Sequence, residues 1–204
     1  MPGMSEGLVE PLDGVVARYI CIPVYAHLDN VFSSSRLGLN HLSTAAIFSA
    51  FISGLMSHMG EPIMAGIMAL VTLFMSWLGW KQAERLGASR LGIIMGSTLD
   101  RIGETLIISG MVTSPLVTGE SLRLIGVLSL AGSLTVSYTA VRSGREYKGL
   151  VWRGFSAYGA TRDVRLTVIA SSSILNVPSL GLAFLAVLTL TVVVKRLLDL
   201  LPLG

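Results

Sequence analysis

Residues 76–104 read SWLGWKQAERLGASRLGIIMGSTLDRIGE. The stretch closes one apolar run, crosses a short charged connection with Lys81, Glu84, Arg85 and Arg90, and opens a second apolar run. Inside that second run stand Asp100, Arg101 and Glu104. An ionisable side chain within a membrane span costs on the order of 2.5–3.5 kcal/mol on insertion, so it faces a partner or a cavity rather than lipid. Asp100 and Glu104 are four residues apart, which sets them on one helix face, one turn above the other. Gly92, Gly96 and Gly103 fall near that face and would let another helix or a ligand approach closely. The pattern is that of a membrane bundle built around a polar centre.

Composition agrees. The 204 residues are 52% hydrophobic and 13% charged, with a mean hydropathy of +0.72. A soluble domain carries about 25% charged residues, and a disordered chain combines low hydrophobicity with high charge, so both classes are excluded. Crossing a ~30 Å hydrocarbon core takes roughly 20 apolar residues as a helix. Six stretches approach that length, near 41–58, 62–80, 91–113, 122–141, 164–178 and 179–200. The last two are parted only by Asn176, Val177 and Pro178, a turn signal. The expected fold is all-α, an integral membrane bundle of six transmembrane helices occupying residues 37–204.

Residues 1–36 form a separate juxtamembrane segment in this reading. Its charges, among them Glu6, Glu10, Asp13, Arg18, Asp29 and Arg36, are spread along it, unlike the basic start and apolar centre of a cleavable signal peptide. Val15, Val16, Tyr19, Ile20 and Ile22 recur at helical spacing, with Pro23 as a bend, which predicts an amphipathic helix on the membrane surface. Thirteen of the fifteen basic residues lie in this segment, in the connections near 81–90 and 142–165, or at the C-terminal end. By the positive-inside rule both termini face the cytoplasm, as six crossings require, in a multi-pass protein of the cell membrane. The net charge of +3 and pI near 9.3 therefore imply no nucleic-acid partner, since these bases lie beside an anionic leaflet. His27, His41 and His58 are scattered without a Cys or carboxylate at metal-site spacing, and no internal repeat supports a transporter.

Set against known patterns, the sequence resembles the CDP-alcohol phosphatidyltransferase family. Its pattern runs DxxDGxxAR, about eight residues, then GxxxDxxxD, across the second and third membrane helices. Residues 92–101, GIIMGSTLDR, resemble the GxxxDSxxDR of the third span, and residues 37–44, LGLNHLST, resemble the start of the first, with Thr44 kept. Ser137, Tyr138 and Arg142 resemble the end of the fourth span, and TRDVR at 161–165 the basic start of the fifth. The central motif departs from the pattern. Aligning Ala83 with its alanine puts Ser76 and Gly79 at the first two aspartates, Trp80 at the glycine and Glu84 at the arginine. On the STLDR match Gly96 stands for the third aspartate, and Asp100 alone survives at the fourth. A rival alignment takes Gly96, Asp100 and Glu104 together but loses the STLDR match. The segment EPLDGVVAR at 10–18 fits the first half of the motif, yet lies before any span and lacks the second half; a surface helix explains it.

The resemblance implies transfer of a phosphatidyl-type group from a CDP-linked lipid to an alcohol or alcohol phosphate, with release of CMP, in phospholipid biosynthesis. It implies a homodimer among membrane lipids. It also implies Mg2+ or Mn2+ on carboxylate oxygens, because hard cations neutralise a diphosphate and stabilise its departure. Residue by residue, it makes Asp100 the catalytic base and a metal ligand, with Glu104 and Glu84 completing a rearranged metal set. Arg142, Arg145, Arg162 and Arg165 would bind the acceptor's phosphate, and Thr44, Ala83 and Gly92 the nucleotide. The alternative is a catalytically inactive relative that binds lipid or serves as a subunit, because most metal-binding aspartates are absent.

Overall fold

The structure, a computed structural model, describes residues 15–24, 37–146 and 159–200, without the side chains of 17, 141–146 and 200. Seven helices and no strand occur among the described residues. A π-helical turn at Ala17–Cys21 precedes α1 (Leu39–His58), α2 (Pro62–Leu86), α3 (Arg90–Val112), α4 (Glu120–Glu146), α5 (Arg162–Ile174) and α6 (Pro178–Leu200).

Local chemistry sets the boundaries. α2 begins with Pro62 in its first turn, where a missing N–H costs nothing, and ends at Gly87, whose φ of 74° suits a residue without Cβ. Two residues later Ser89 caps α3 by accepting from Gly92 N at 3.0 Å. The turn expected at 176–178 is present: Asn176 adopts φ 59° and Pro178 opens α6. It leaves α5 with 13 residues, about 20 Å at 1.5 Å per residue.

The packing order is not the chain order. α1 lies between α2 and α3, α3 packs on α4, α4 on α6, α6 on α5, and α5 returns to α2. The six helices close a ring, and α2 and α3, neighbours in sequence, meet mainly through α1. The α1–α3 seam is backbone against backbone: a Cβ on Gly110 would lie 2.1 Å from the carbonyl oxygen of Gly54. Gly110→Ala is therefore expected to force the two helices apart and cost about 1–3 kcal/mol, as overpacking does. Thermal unfolding in detergent checks it, and an unchanged midpoint would show that the seam can open freely.

Among the described residues four helices are long and apolar enough to cross a membrane: α1, α2, α4 over Glu120–Ala140, and α6 over Pro178–Asp199. α3 is long enough, but every stretch of spanning length in it holds Asp100, Arg101 and Glu104. α5 is too short. Phe48, Phe51, Ile67, Val127, Phe184 and Val187 are exposed on the outside of the ring, as suits a surface facing lipid.

Of the expected surface helix at 1–36, only residues 15–24 are described; they are helical, with the π-helical turn just before Pro23. Val15, Tyr19, Ile20 and Ile22 are exposed, while Cys21 is buried against Leu42, Trp77 and Leu78. Val16 N donates to Asp163 Oδ2 at 2.9 Å, which ties the segment to the start of α5. Most of the EPLDGVVAR segment lies outside the described residues.

Candidate active site

Three helices converge on Asp100. Ser76 and Trp80, one turn apart on α2, address its two oxygens: Ser76 Oγ donates to Oδ1 at 2.7 Å and Trp80 Nε1 to Oδ2 at 2.9 Å. From the first turn of α5, Arg162 Nη1 lies 3.0 Å from Asp100 Oδ1 and also donates to Ser76 Oγ. The carboxylate is buried, and each of its oxygens accepts a hydrogen bond. Among the described residues, the buried Nε of Arg162 has no hydrogen-bond partner.

One turn along α3, Glu104 is held more tightly still. Arg165 grips it in a fork, Nε to Oε1 at 2.6 Å and Nη2 to Oε2 at 2.8 Å. Ser133 of α4 donates to Oε1 as well, and Arg101 Nη1 stands 3.8 Å from Oε2. The rest of the Arg165 guanidinium goes to Ala160 O at 2.5 Å and Ser137 Oγ at 3.3 Å. Arg165 and Glu104 are 1% and 2% exposed, so this pair is part of the ring's interior.

The expected residues divide accordingly. Asp100, Glu104, Arg162 and Arg165 are brought together. Glu84 is not: it pairs with Lys81 Nζ at 3.2 Å on a side chain 49% exposed. Glu84→Gln is expected to shift stability by no more than about 0.5 kcal/mol, the scale of an exposed pair one turn apart. A larger loss in thermal unfolding would mean that Glu84 has a buried partner. Arg142 and Arg145 lie in the last turns of α4, and their side chains fall outside the described residues. Thr44, Ala83 and Gly92 sit at one end of the bundle, at the start of α1, the end of α2 and the start of α3. There Thr44 Oγ1 donates to Asn40 O at 2.9 Å, and a Cβ on Gly92 would approach Asn40 Oδ1 to 3.4 Å.

The donor set does not fit a divalent cation. No group of three His, Cys, Asp or Glu among the described residues could hold one, so Glu84, Asp100 and Glu104 do not form the expected set. The volume is taken as well. A Cβ on Gly79 would lie 3.3 Å from Leu39 Cδ1, and one on Gly96 would lie 3.2 Å from Leu39 Cδ2. These two glycines align with the second and third aspartates of the pattern, and the buried side chain of Leu39 packs over both.

Ser76 drew notice in the sequence only as a replaced aspartate, and Trp80 as a replaced glycine. Their joint hold on Asp100 follows from their four-residue spacing on α2. Ser133 and Ser137 share the same spacing on α4, and that repeat was the available signal for a polar helix face.

No family model matches the sequence. Among curated proteins it is similar to the bifunctional IPC transferase and DIPP synthase of Rubrobacter xylanophilus, 31% identical over 92% of this chain and 43% of that protein. The chain thus spans less than half the length of that relative. It is also similar to the archaetidylinositol phosphate synthase of Pyrococcus horikoshii, 26% identical over 78% of this chain and 81% of the relative. The fold matches crystal structures of the phosphatidylinositol phosphate synthase of Mycobacterium tuberculosis. The apo form covers 87% of this chain and 94% of the neighbour at 22% identity, with a TM-score of 0.65. A second, with CDP-DAG bound, has a TM-score of 0.62 at 21% identity, over 87% of this chain and 92% of the neighbour. A third, in complex with manganese and citrate, also has a TM-score of 0.62 at 21% identity, over 88% of each chain. The STLDR motif carried on α3 and two curated relatives aligned over most of this chain support the CDP-alcohol phosphatidyltransferase family.

Proposed function

We propose that the chain is a multi-pass transferase of phospholipid biosynthesis, moving a phosphatidyl-type group from a CDP-linked lipid to an alcohol or alcohol phosphate with release of CMP. The observation that carries this reading is Asp100. Its carboxylate is oriented on both oxygens by Ser76 and Trp80, beside the guanidinium of Arg162, inside the ring. It is the position that the family pattern gives to the base. In the reaction, the acceptor's hydroxyl oxygen bonds to the phosphorus that bears the lipid, and the bond from that phosphorus to the bridging oxygen breaks. The electron pair leaves with CMP, and the hydroxyl proton passes to Asp100. Among the described residues the metal expected from the family pattern finds no fitting donor set.

The names of both curated relatives are those of enzymes, which supports the transferase over an inactive lipid-binding relative. The name of the Pyrococcus relative supports an acceptor of the inositol phosphate kind. Arg142 and Arg145 are left for the acceptor's phosphate, since Arg162 and Arg165 are engaged with Asp100 and Glu104. The nucleotide is assigned to the end of the bundle that carries Thr44, Ala83 and Gly92. In the same reading all six α-helices cross the cell membrane, with Asp100 and Glu104 of α3 and Arg165 of α5 turned to the inside of the ring. Residues 1–36 lie at the surface, residues 37–204 form the membrane domain, both termini are cytoplasmic and the protein is a homodimer. The test is CMP release by the purified chain in lipid nanodiscs, with a CDP-lipid as donor and an inositol phosphate as acceptor. Acceptor-dependent CMP is expected. Folded protein that releases none with any alcohol or alcohol phosphate would overturn the proposal.

A further inference from the structure

We infer that this site takes the donor's diphosphate without a divalent cation, with the guanidinium of Arg162 serving as the cation. The inference rests on the transferase reading and deepens it. Its first support is the donor set described above: Leu39 packs over both Gly79 and Gly96, and among the described residues no three metal-ligating side chains gather.

The second support is charge. Each carboxylate of the network already has a guanidinium seated on it, Arg162 on Asp100 and Arg165 on Glu104, with Arg101 at 3.8 Å from Glu104 as well. A divalent cation would have to displace those guanidinium groups or sit beside them away from water, where like-charge repulsion is poorly screened. A diphosphate reverses the balance.

Third, Arg162 sits where the cation would be needed. It spans Ser76 and Asp100, the positions aligned with the first and fourth aspartates of the family pattern. A guanidinium carries five donors and binds phosphate oxygens in a fork. Nη1 is spent on Asp100 and Ser76, while the buried Nε has no partner in this structure. A buried donor without an acceptor is costly, and a phosphate oxygen would satisfy it. Arg162 is also the first residue of the 13-residue helix α5, whose positive end favours the same anion.

The test uses the full chain in nanodiscs and CDP as the probe, titrated calorimetrically in EDTA and again with Mn2+, with bound Mn2+ followed by electron paramagnetic resonance. The two dissociation constants are expected to agree within about twofold, and no stoichiometric Mn2+ signal is expected. Arg162→Ala should weaken CDP binding by about tenfold or more, the loss of a charged hydrogen bond. Arg162→Lys, which keeps the charge and guards against a folding defect, should weaken it less. As a gain of function, the combined Leu39→Ala, Ser76→Asp, Gly79→Asp and Gly96→Asp variant should acquire the Mn2+ signal. CDP binding that requires Mn2+, with one ion bound to the unaltered chain, would overturn the inference and leave the transferase reading intact. No CDP binding under either condition would overturn both.

Discussion

Arg165→Met is expected to destabilise the bundle by about 3–5 kcal/mol, the penalty for breaking a buried ion pair from one side. The substitution removes both arms of the fork on Glu104 and leaves a carboxylate 2% exposed, facing Ser133 and, at 3.8 Å, Arg101. It also frees Ala160 O, on the turn that leads into α5. Three helices depend on this contact, because Glu104 stands on α3, Ser133 and Ser137 on α4, and Arg165 on α5. Replacing both partners should behave differently. In Glu104→Leu with Arg165→Met neither member of the fork is left without the other, and Ser137 keeps its bond to Ser133 O at 3.1 Å. An apolar pair of similar volume is often neutral, or stabilising by about 1–4 kcal/mol, relative to the ion pair it replaces. Unfolding of the two single variants and the double variant in detergent decides the matter. A double variant as unstable as Arg165→Met would show that the loss is one of packing rather than of unpaired charge.

The residues involved show what the sequence could and could not convey. Asp100 and Glu104 were legible as buried partners because hydropathy makes a charged residue in an apolar run conspicuous, and their spacing fixes a common face. Helix ends were legible wherever backbone chemistry is local, as at Pro62, Gly87, Ser89 and Asn176. Several boundaries moved: α2 runs on to Leu86, past the expected 80, α4 to Glu146, past the expected 141, and α5 covers 162–174 rather than 164–178. Charged residues are good helix formers, so hydropathy alone misplaces such ends. The identity of the counter-ions was not legible. Arg162 and Arg165 lie about sixty residues from the acids they meet, and only the ring order of the helices, which sets α5 against α2, lets their side chains reach α3. The sequence offered these arginines to an acceptor's phosphate, a reading that treats the two carboxylates as free for a metal. Leu39 was equally silent, since a leucine at the head of an apolar helix carries no sign that it covers two glycines on other helices.

Asp100→Asn is expected to lower kcat for CMP release by about 10²–10⁴, the usual contribution of a positioned general base. The asparagine amide can still accept a hydrogen bond from Ser76 or Trp80, so the local hydrogen-bond frame has a substitute. It cannot take a proton, and it loses the charge that faces Arg162 Nη1 at 3.0 Å. The two losses leave different kinetic traces. A base acts in the transition state, so its removal depresses kcat and leaves KM for the CDP-lipid nearly unchanged. If Asp100 served only to hold Arg162 in place, the loss would fall on the binding of the diphosphate, and KM would rise with kcat kept within about tenfold. Steady-state kinetics on CDP-lipid at saturating acceptor separates these outcomes, and the second would remove Asp100 from the chemistry. The collapse of kcat is favoured by the geometry. Arg162 is also held by Ser76 Oγ, so its position survives the loss of one partner, whereas no other carboxylate of α3 is open to receive a proton: Glu104, one turn away, is gripped by Arg165 through both oxygens.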